Sequence, residues 1–128
     1  MRKEGKKMAN EDNVFAGSIE SLESVAVKEA WGVEKKIVFG PRRFWKDYVM
    51  RHFQLDKGAQ TPLHTHDWPH YVVILSGKVE FVLNDHSYIL DAHSWAYVPS
   101  GEKHCFKNLG DSPLNFLCTV PVKGDPEA

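Results

Sequence analysis

The sequence predicts an all-β domain, and three observations carry that reading. From Gly32 onward the chain is a succession of short segments rich in Val, Ile, Phe and Tyr. Turn-forming residues separate these segments at intervals of roughly 8–12 residues. Several segments alternate in period two, as Val79, Phe81 and Leu83 do against Lys78, Glu80 and Val82. A small closed barrel or double-sheet jelly roll holds such half-buried strands together with strands apolar on both faces, and leaves few open edges.

Taken in order, residues 1–16 are polar and without period and read as a flexible leader in which Met8 is an alternative start. Over 18–30, Ile19, Leu22, Val25 and Val27 fit neither the helix nor the strand template, so a short helix or an irregular arm is expected. Strands are predicted at 35–39, 47–55, 62–66, 70–76, 78–83, 86–90, 94–98, 103–109 and 114–121. Turns fall at Asp56-Lys57-Gly58, Ser76-Gly77, Asn84-Asp85, Pro99-Ser100-Gly101 and Gly110 to Pro113. The run Tyr71 to Leu75 is apolar on both faces, which places it in a sandwich or under an oligomer contact. One domain is expected over 17–122, followed by a tail at 123–128.

Composition narrows the function classes. The 128 residues are 42% hydrophobic and 26% charged, a balance that builds a core without disulfides or a structural metal. Sixteen Lys and Arg against seventeen Asp and Glu give a net charge of -1 with no like-charge run, so nucleic acid is not an expected partner. No apolar stretch follows the basic residues at 1–7, and the longest apolar run is far short of the ~20 residues of a membrane helix. The expectation is a cytoplasmic protein without membrane association. Cys105 and Cys118 do not form a disulfide framework and are expected as buried thiols. A GxSxG elbow and Gly-rich phosphate loops are both absent from the sequence.

The chemistry lies in histidine. Residues two apart on a strand point to one side, so His64 and His66 present imidazoles about 6–7 Å apart along the backbone. A turn through Asp67, Trp68 and Pro69 brings His70 back against that pair, and His104 follows the Pro99–Gly101 turn at the start of another strand. Four neutral imidazoles suit one divalent first-row transition metal, with Mn, Fe, Ni, Cu and Zn all open. Such ligands must be unprotonated, so metal loss is expected below about pH 6.

In this arrangement the chain resembles the cupin superfamily. Its first motif runs G, five residues, HxH, three or four residues, E, six residues, G; its second runs G, five residues, PxG, two residues, H, three residues, N. Gly58, His64, His66 and Gly77 match the first, and Pro99, Gly101, His104 and Asn108 the second. The motifs span 58–108, and the strand pattern extends the resemblance to about 32–122. Two positions depart from it: His70 replaces the glutamate and His93 the leading glycine of the second motif. The resemblance implies a double-stranded β-helix, the jelly-roll barrel, with a short N-terminal arm. It implies one metal ion per chain on His64, His66, His70 and His104, as in the four-histidine subgroup of small bacterial single-domain cupins, some of which hold manganese. Without a carboxylate the ion keeps its full +2 charge and is the stronger Lewis acid.

The implied activity is that of a mononuclear, dioxygenase-like oxidoreductase acting on a small organic substrate. Two alternatives stand beside it: a non-catalytic small-ligand-binding cupin, and a non-redox isomerase or lyase. Homodimers paired through sheet edges and exchanged N-terminal segments are also implied.

Strand parity supplies the pocket. Val49, Arg51, Phe53 and Leu55 share the better candidate for an inward face, where Arg51 must meet a carboxylate of the protein or an anionic substrate. His104, Phe106 and Asn108 face inward and Cys105 outward. Parity leaves the two faces of 114–121 open; a similar Phe-Leu-Cys strand in the four-histidine relatives places Phe116 and Cys118 near the metal. His52 is expected outward, His86 in a solvated turn, His93 in a strand or turn, and Trp68 as turn packing or a lid.

Overall fold

A computed structural model describes residues 14–128; the first part of the expected leader, with Met8, lies outside the described residues. The strands are β1 (Ser24–Ala26), β2 (Val33–Phe39), β3 (Tyr48–Leu55), β4 (His70–Ser76), β5 (Lys78–Leu83), β6 (His86–Asp91), β7 (Trp95–Val98), β8 (His104–Asn108) and β9 (Leu114–Pro121). They form two antiparallel sheets, one of six strands in the order β1-β2-β3-β9-β4-β7 and one of three in the order β6-β5-β8. This is the jelly-roll barrel that the patterning predicts. No helix among the described residues is long and apolar enough to cross a membrane.

Alternation decides which side each strand buries. In β3, Val49, Arg51, Phe53 and Leu55 are buried while their neighbours are exposed or half-buried, and β9 does the same with Leu114, Phe116, Cys118 and Val120. The two strands pair with Arg51 opposite Cys118 and Phe53 opposite Phe116, so the register resolves the face of β9 that periodicity left open. β4 continues the layer by setting Val72 opposite Cys118. Phe106, on β8 of the second sheet, closes the interior, its ring 5.0 Å from Phe116 and 4.8 Å from Phe81. Each such burial contributes about 1.5–3 kcal/mol.

Two segments differ from expectation. Residues 62–66 are not a strand: the chain runs beside β8 with isolated bridges, Gln60 with Lys107 and His64 with His104, and a bond from the Thr61 N–H to the Phe106 carbonyl at 2.9 Å, but no continuous ladder. Pro62 has no N–H to donate, which interrupts the ladder. Within 18–30, a 3-10 turn at Ile19–Ser21 precedes β1, which pairs Ser24 with Lys36 on the edge of β2.

Two turns carry backbone constraints. Gly77 has φ 98°, and a Cβ there would stand 3.0 Å from the Leu114 Cα, so the turn between β4 and β5 requires glycine. His93 occupies φ 70° and is tied by its N–H to the Ile74 carbonyl at 2.8 Å. A left-handed residue is needed there, which explains why the corresponding position of the second motif is glycine. The motif residue Asn108 acts as a buried staple: its amide nitrogen reaches the carbonyls of Leu55, Asp56 and Ser112 at 3.0–3.2 Å, and its oxygen accepts from the Gly110 N–H.

Beyond β9 a 3-10 turn at Val122–Gly124 leads to Asp125, which is 3% exposed, and Ala128 packs against the core. The C-terminal residues therefore close over the barrel.

Candidate metal centre

His70 opens β4 and His104 opens β8, so strand starts on opposite sheets deliver two imidazoles to one end of the interior. His66 comes from the loop before β4. The ring nitrogens of His66, His70 and His104 lie within 4.8 Å of one another, and these three are placed to bind a metal ion. His66 Nδ1 stands 3.2 Å from His70 Nε2. That matches the roughly 3.0–3.4 Å between two imidazole nitrogens held on a common ion by bonds of about 2.0–2.1 Å. His64 lines the same cavity with its ring 5.2 Å from that of His66, but it is exposed and stands outside the tight group.

Neighbouring groups orient the rings. His104 Nδ1 lies 3.0 Å from the Glu102 carbonyl, so this nitrogen carries the proton and leaves Nε2 as the lone-pair donor. His70 Nδ1 lies 3.4 Å from Cys118 Sγ, leaving its Nε2 turned to His66. The His66 ring lies flat on Trp68. Electrostatics favour the neutral, ligating form. Burial, then repulsion from His104, His64 and Arg51, pushes His66 down to about 4; burial and the charges of His104, Arg51, His66 and His64 push His70 down to about 3. Burial also lowers His104, partly opposed by its bond to the Glu102 carbonyl.

The histidines border a cavity of about 170 Å³ between the sheets. Arg51, Phe53, Phe106, Phe116 and Cys118 line it together with His64, His66, His70 and His104, whereas Val49, Leu55 and Asn108, inward by the same parity, do not border it. Arg51 is held on three sides: Nε donates to the Cys118 carbonyl at 3.2 Å, Nη2 to Cys118 Sγ at 3.0 Å, and Nη1 to Asp125 Oδ2 at 3.2 Å. Burial works against its charge, and the Cys118 sulfur and the Asp125 carboxylate more than restore it. Cys105, on the outer face of β8, is buried as well, and burial pushes its thiol up. His52 faces away from the cavity, between Lys36 and Leu117 in register.

Lys35 and Asp125 are site residues that the sequence reading missed. Lys35 lines the cavity and donates to Asp125 Oδ2 at 2.9 Å. A signal for Lys35 existed, since Val33, Lys35 and Ile37 share one strand face and Lys35 pairs with the inward Phe53. Asp125 follows the last strand in an irregular segment, where no periodicity marks its direction.

Comparison with known proteins agrees with this geometry. The family model described as Cupin domain matches residues 51–120. No curated protein matches the chain significantly. Among solved structures, a polyketide cyclase from Streptomyces resistomycificus is similar at 21% identity and a TM-score of 0.77, over 84% of this chain and 79% of that one. A cupin-2 domain from Rhodospirillum rubrum is 22% identical with a TM-score of 0.73, over 84% and 74% of the two chains. A predicted oxalate decarboxylase from Thermotoga maritima is 22% identical with the same TM-score, over 84% and 98%. At these identities the likeness is one of fold.

Proposed function

The chain belongs to the cupin domain family, and on that premise we propose that it is a mononuclear metal-dependent oxidoreductase of dioxygenase type, acting on a small organic substrate in the barrel cavity. The observation that carries this reading is the convergence of His66, His70 and His104 on the wall of that cavity. The proposed ligand set adds His64, which lines the same cavity with its exposed ring 5.2 Å from that of His66, as in the four-histidine subgroup. The ion is one of Mn, Fe, Ni, Cu or Zn, manganese being the metal of some members of that subgroup. When bound, a redox-active ion supplies Lewis acidity and electron transfer toward dioxygen, and zinc supplies Lewis acidity alone.

The chain's own residues supply the rest. Glu102 and Cys118 hold the rings of His104 and His70 in fixed orientations, which keeps their other nitrogens toward the site. Phe53, Phe106 and Phe116 exclude water from the apolar wall, and Arg51 adds a cation beside it. Two unpaired, buried cysteines support a reducing, cytoplasmic setting. The exposed aromatic face of β4 and β7 supports a homodimer.

The test is dioxygen uptake by chelated protein reloaded separately with manganese, iron or zinc and offered a panel of small organic acids and alcohols. Uptake with manganese or iron and none with zinc is expected. Turnover with zinc and no uptake refutes the redox reading in favour of an isomerase or lyase. Binding without turnover refutes it in favour of a ligand-binding cupin.

A further inference from the structure

The histidines occupy one part of the cavity wall, and a second charged group stands beside them. Arg51 and Lys35, with side chains 8% and 12% exposed, both donate to the same oxygen of Asp125. A buried cation and a half-buried one thus share one buried carboxylate. The other acid near Lys35 is Glu127, 3.8 Å away and 67% exposed, where water screens it. One positive charge is left without a buried counter-ion on a wall that carries Phe53, Phe106 and Phe116 and no carboxylate, a costly arrangement unless an anion completes it.

The donor count agrees. Arg51 uses three of its five N–H donors and Lys35 one of its three on partners among the described residues. Arg51 is also braced in place, its guanidinium 5.0 Å above the Phe53 ring and bonded to both the carbonyl and the sulfur of Cys118. A fixed guanidinium with unused N–H groups suits the planar, two-oxygen geometry of a carboxylate.

Size limits what that carboxylate belongs to. An apolar cavity of about 150 Å³ takes up benzene, and this one measures about 170 Å³. Position sets the ligand's direction, because Cys118 Sγ touches Arg51 on one side and the His70 ring on the other, so a small molecule spans both groups.

We infer that Arg51 and Lys35 form an anion subsite for a small monocarboxylate with an apolar body of about six carbons, and that Asp125 is the protein's own competitor for it. The inference rests on the reading of the cavity as a substrate site. It adds the substrate's chemical class, and it gives the C-terminal segment a role as a latch that Asp125 fastens to both cations.

The test is calorimetric titration of benzoate, and of the neutral isostere benzamide, into the full chain, both chelated and metal-loaded, with metal content read on the same samples. Benzoate is expected to bind at least about tenfold more tightly than benzamide. Lys35→Met should remove most of that preference, and Asp125→Asn should tighten benzoate binding by removing the competing charge. Equal binding of the two probes, no benzoate binding by either wild type or D125N, or weaker benzoate binding by D125N would each overturn the inference. Should K35M not fold, the probe comparison and D125N decide. Metal uptake without charge selectivity refutes this inference alone, whereas charge-selective binding by a chain that takes up no metal refutes the metal reading alone.

Discussion

The indole of Trp68 lies face to face on the imidazole of His66, ring centroids 4.8 Å apart and planes within 14°. Trp68 also lies against Gly124, where a Cβ would stand 2.7 Å from the indole nitrogen, a buried donor without a partner among the described residues. Trp68 therefore packs on both a loop histidine and the C-terminal segment, and it holds His66 in position. Trp68→Ala should weaken metal binding about three- to tenfold, the worth of one aromatic stack, with every histidine still present. Competition against a chelating dye checks this; unchanged affinity would remove the positioning role.

Asn108 is a residue whose loss should be felt in stability and not in metal content. Its side chain satisfies three carbonyls and one N–H across two loops. Asn108→Ala leaves these buried groups unpaired at a cost of about 1–3 kcal/mol. Urea denaturation measures the loss, and a change below the precision of that method would contradict the staple.

Chelated protein should lose stability on acidification. In the folded state His66 and His70 are pushed down to about 4 and about 3, against the ordinary value near 6.5 in an unfolded chain. Between those limits the unfolded chain binds more protons, so stability rises with pH through about 4 to 6.5 and this contribution is flat above it. The same shifts carry metal release below the pH of about 6 that ordinary histidines set. Denaturation midpoints at stepped pH test the sign; a stability independent of pH across that window would contradict it.

The outer face of the six-stranded sheet exposes Tyr71, Val73, Trp95 and Tyr97, with Trp95 at 76% and on the edge strand β7. If a second copy covers this face, Trp95→Glu buries a charge at the contact and produces monomers. Light scattering should find a wild-type dimer and a W95E monomer, and a monomeric wild type would refute the pairing.

What could be read beforehand follows from how local each signal is. Period-two alternation is written into β3 itself, so the inward turn of Arg51 and Phe53 was legible without any partner strand. The histidines were legible because their spacing carries the signal: residues two apart, and residues just after tight turns. β1 was not, since three residues leave no period to detect and only pairing with β2 makes them a strand. His64 was placed on a strand, yet Pro62 leaves it a lone bridge, and its exposed side chain stands outside the tight group of nitrogens although its ring is 5.2 Å from that of His66. Asp125 depends on tertiary contacts alone, with partners on β2 and β3 that no local pattern connects to it.

The most direct test is the metal content of the purified full chain and of His70→Ala, measured by mass spectrometry at neutral pH after exposure to the first-row ions. The account predicts about one ion per wild-type chain, and its loss in a variant that keeps the β spectrum of the fold. A wild-type chain that takes up no ion, or a His70→Ala chain that retains it in full, would contradict the metal centre.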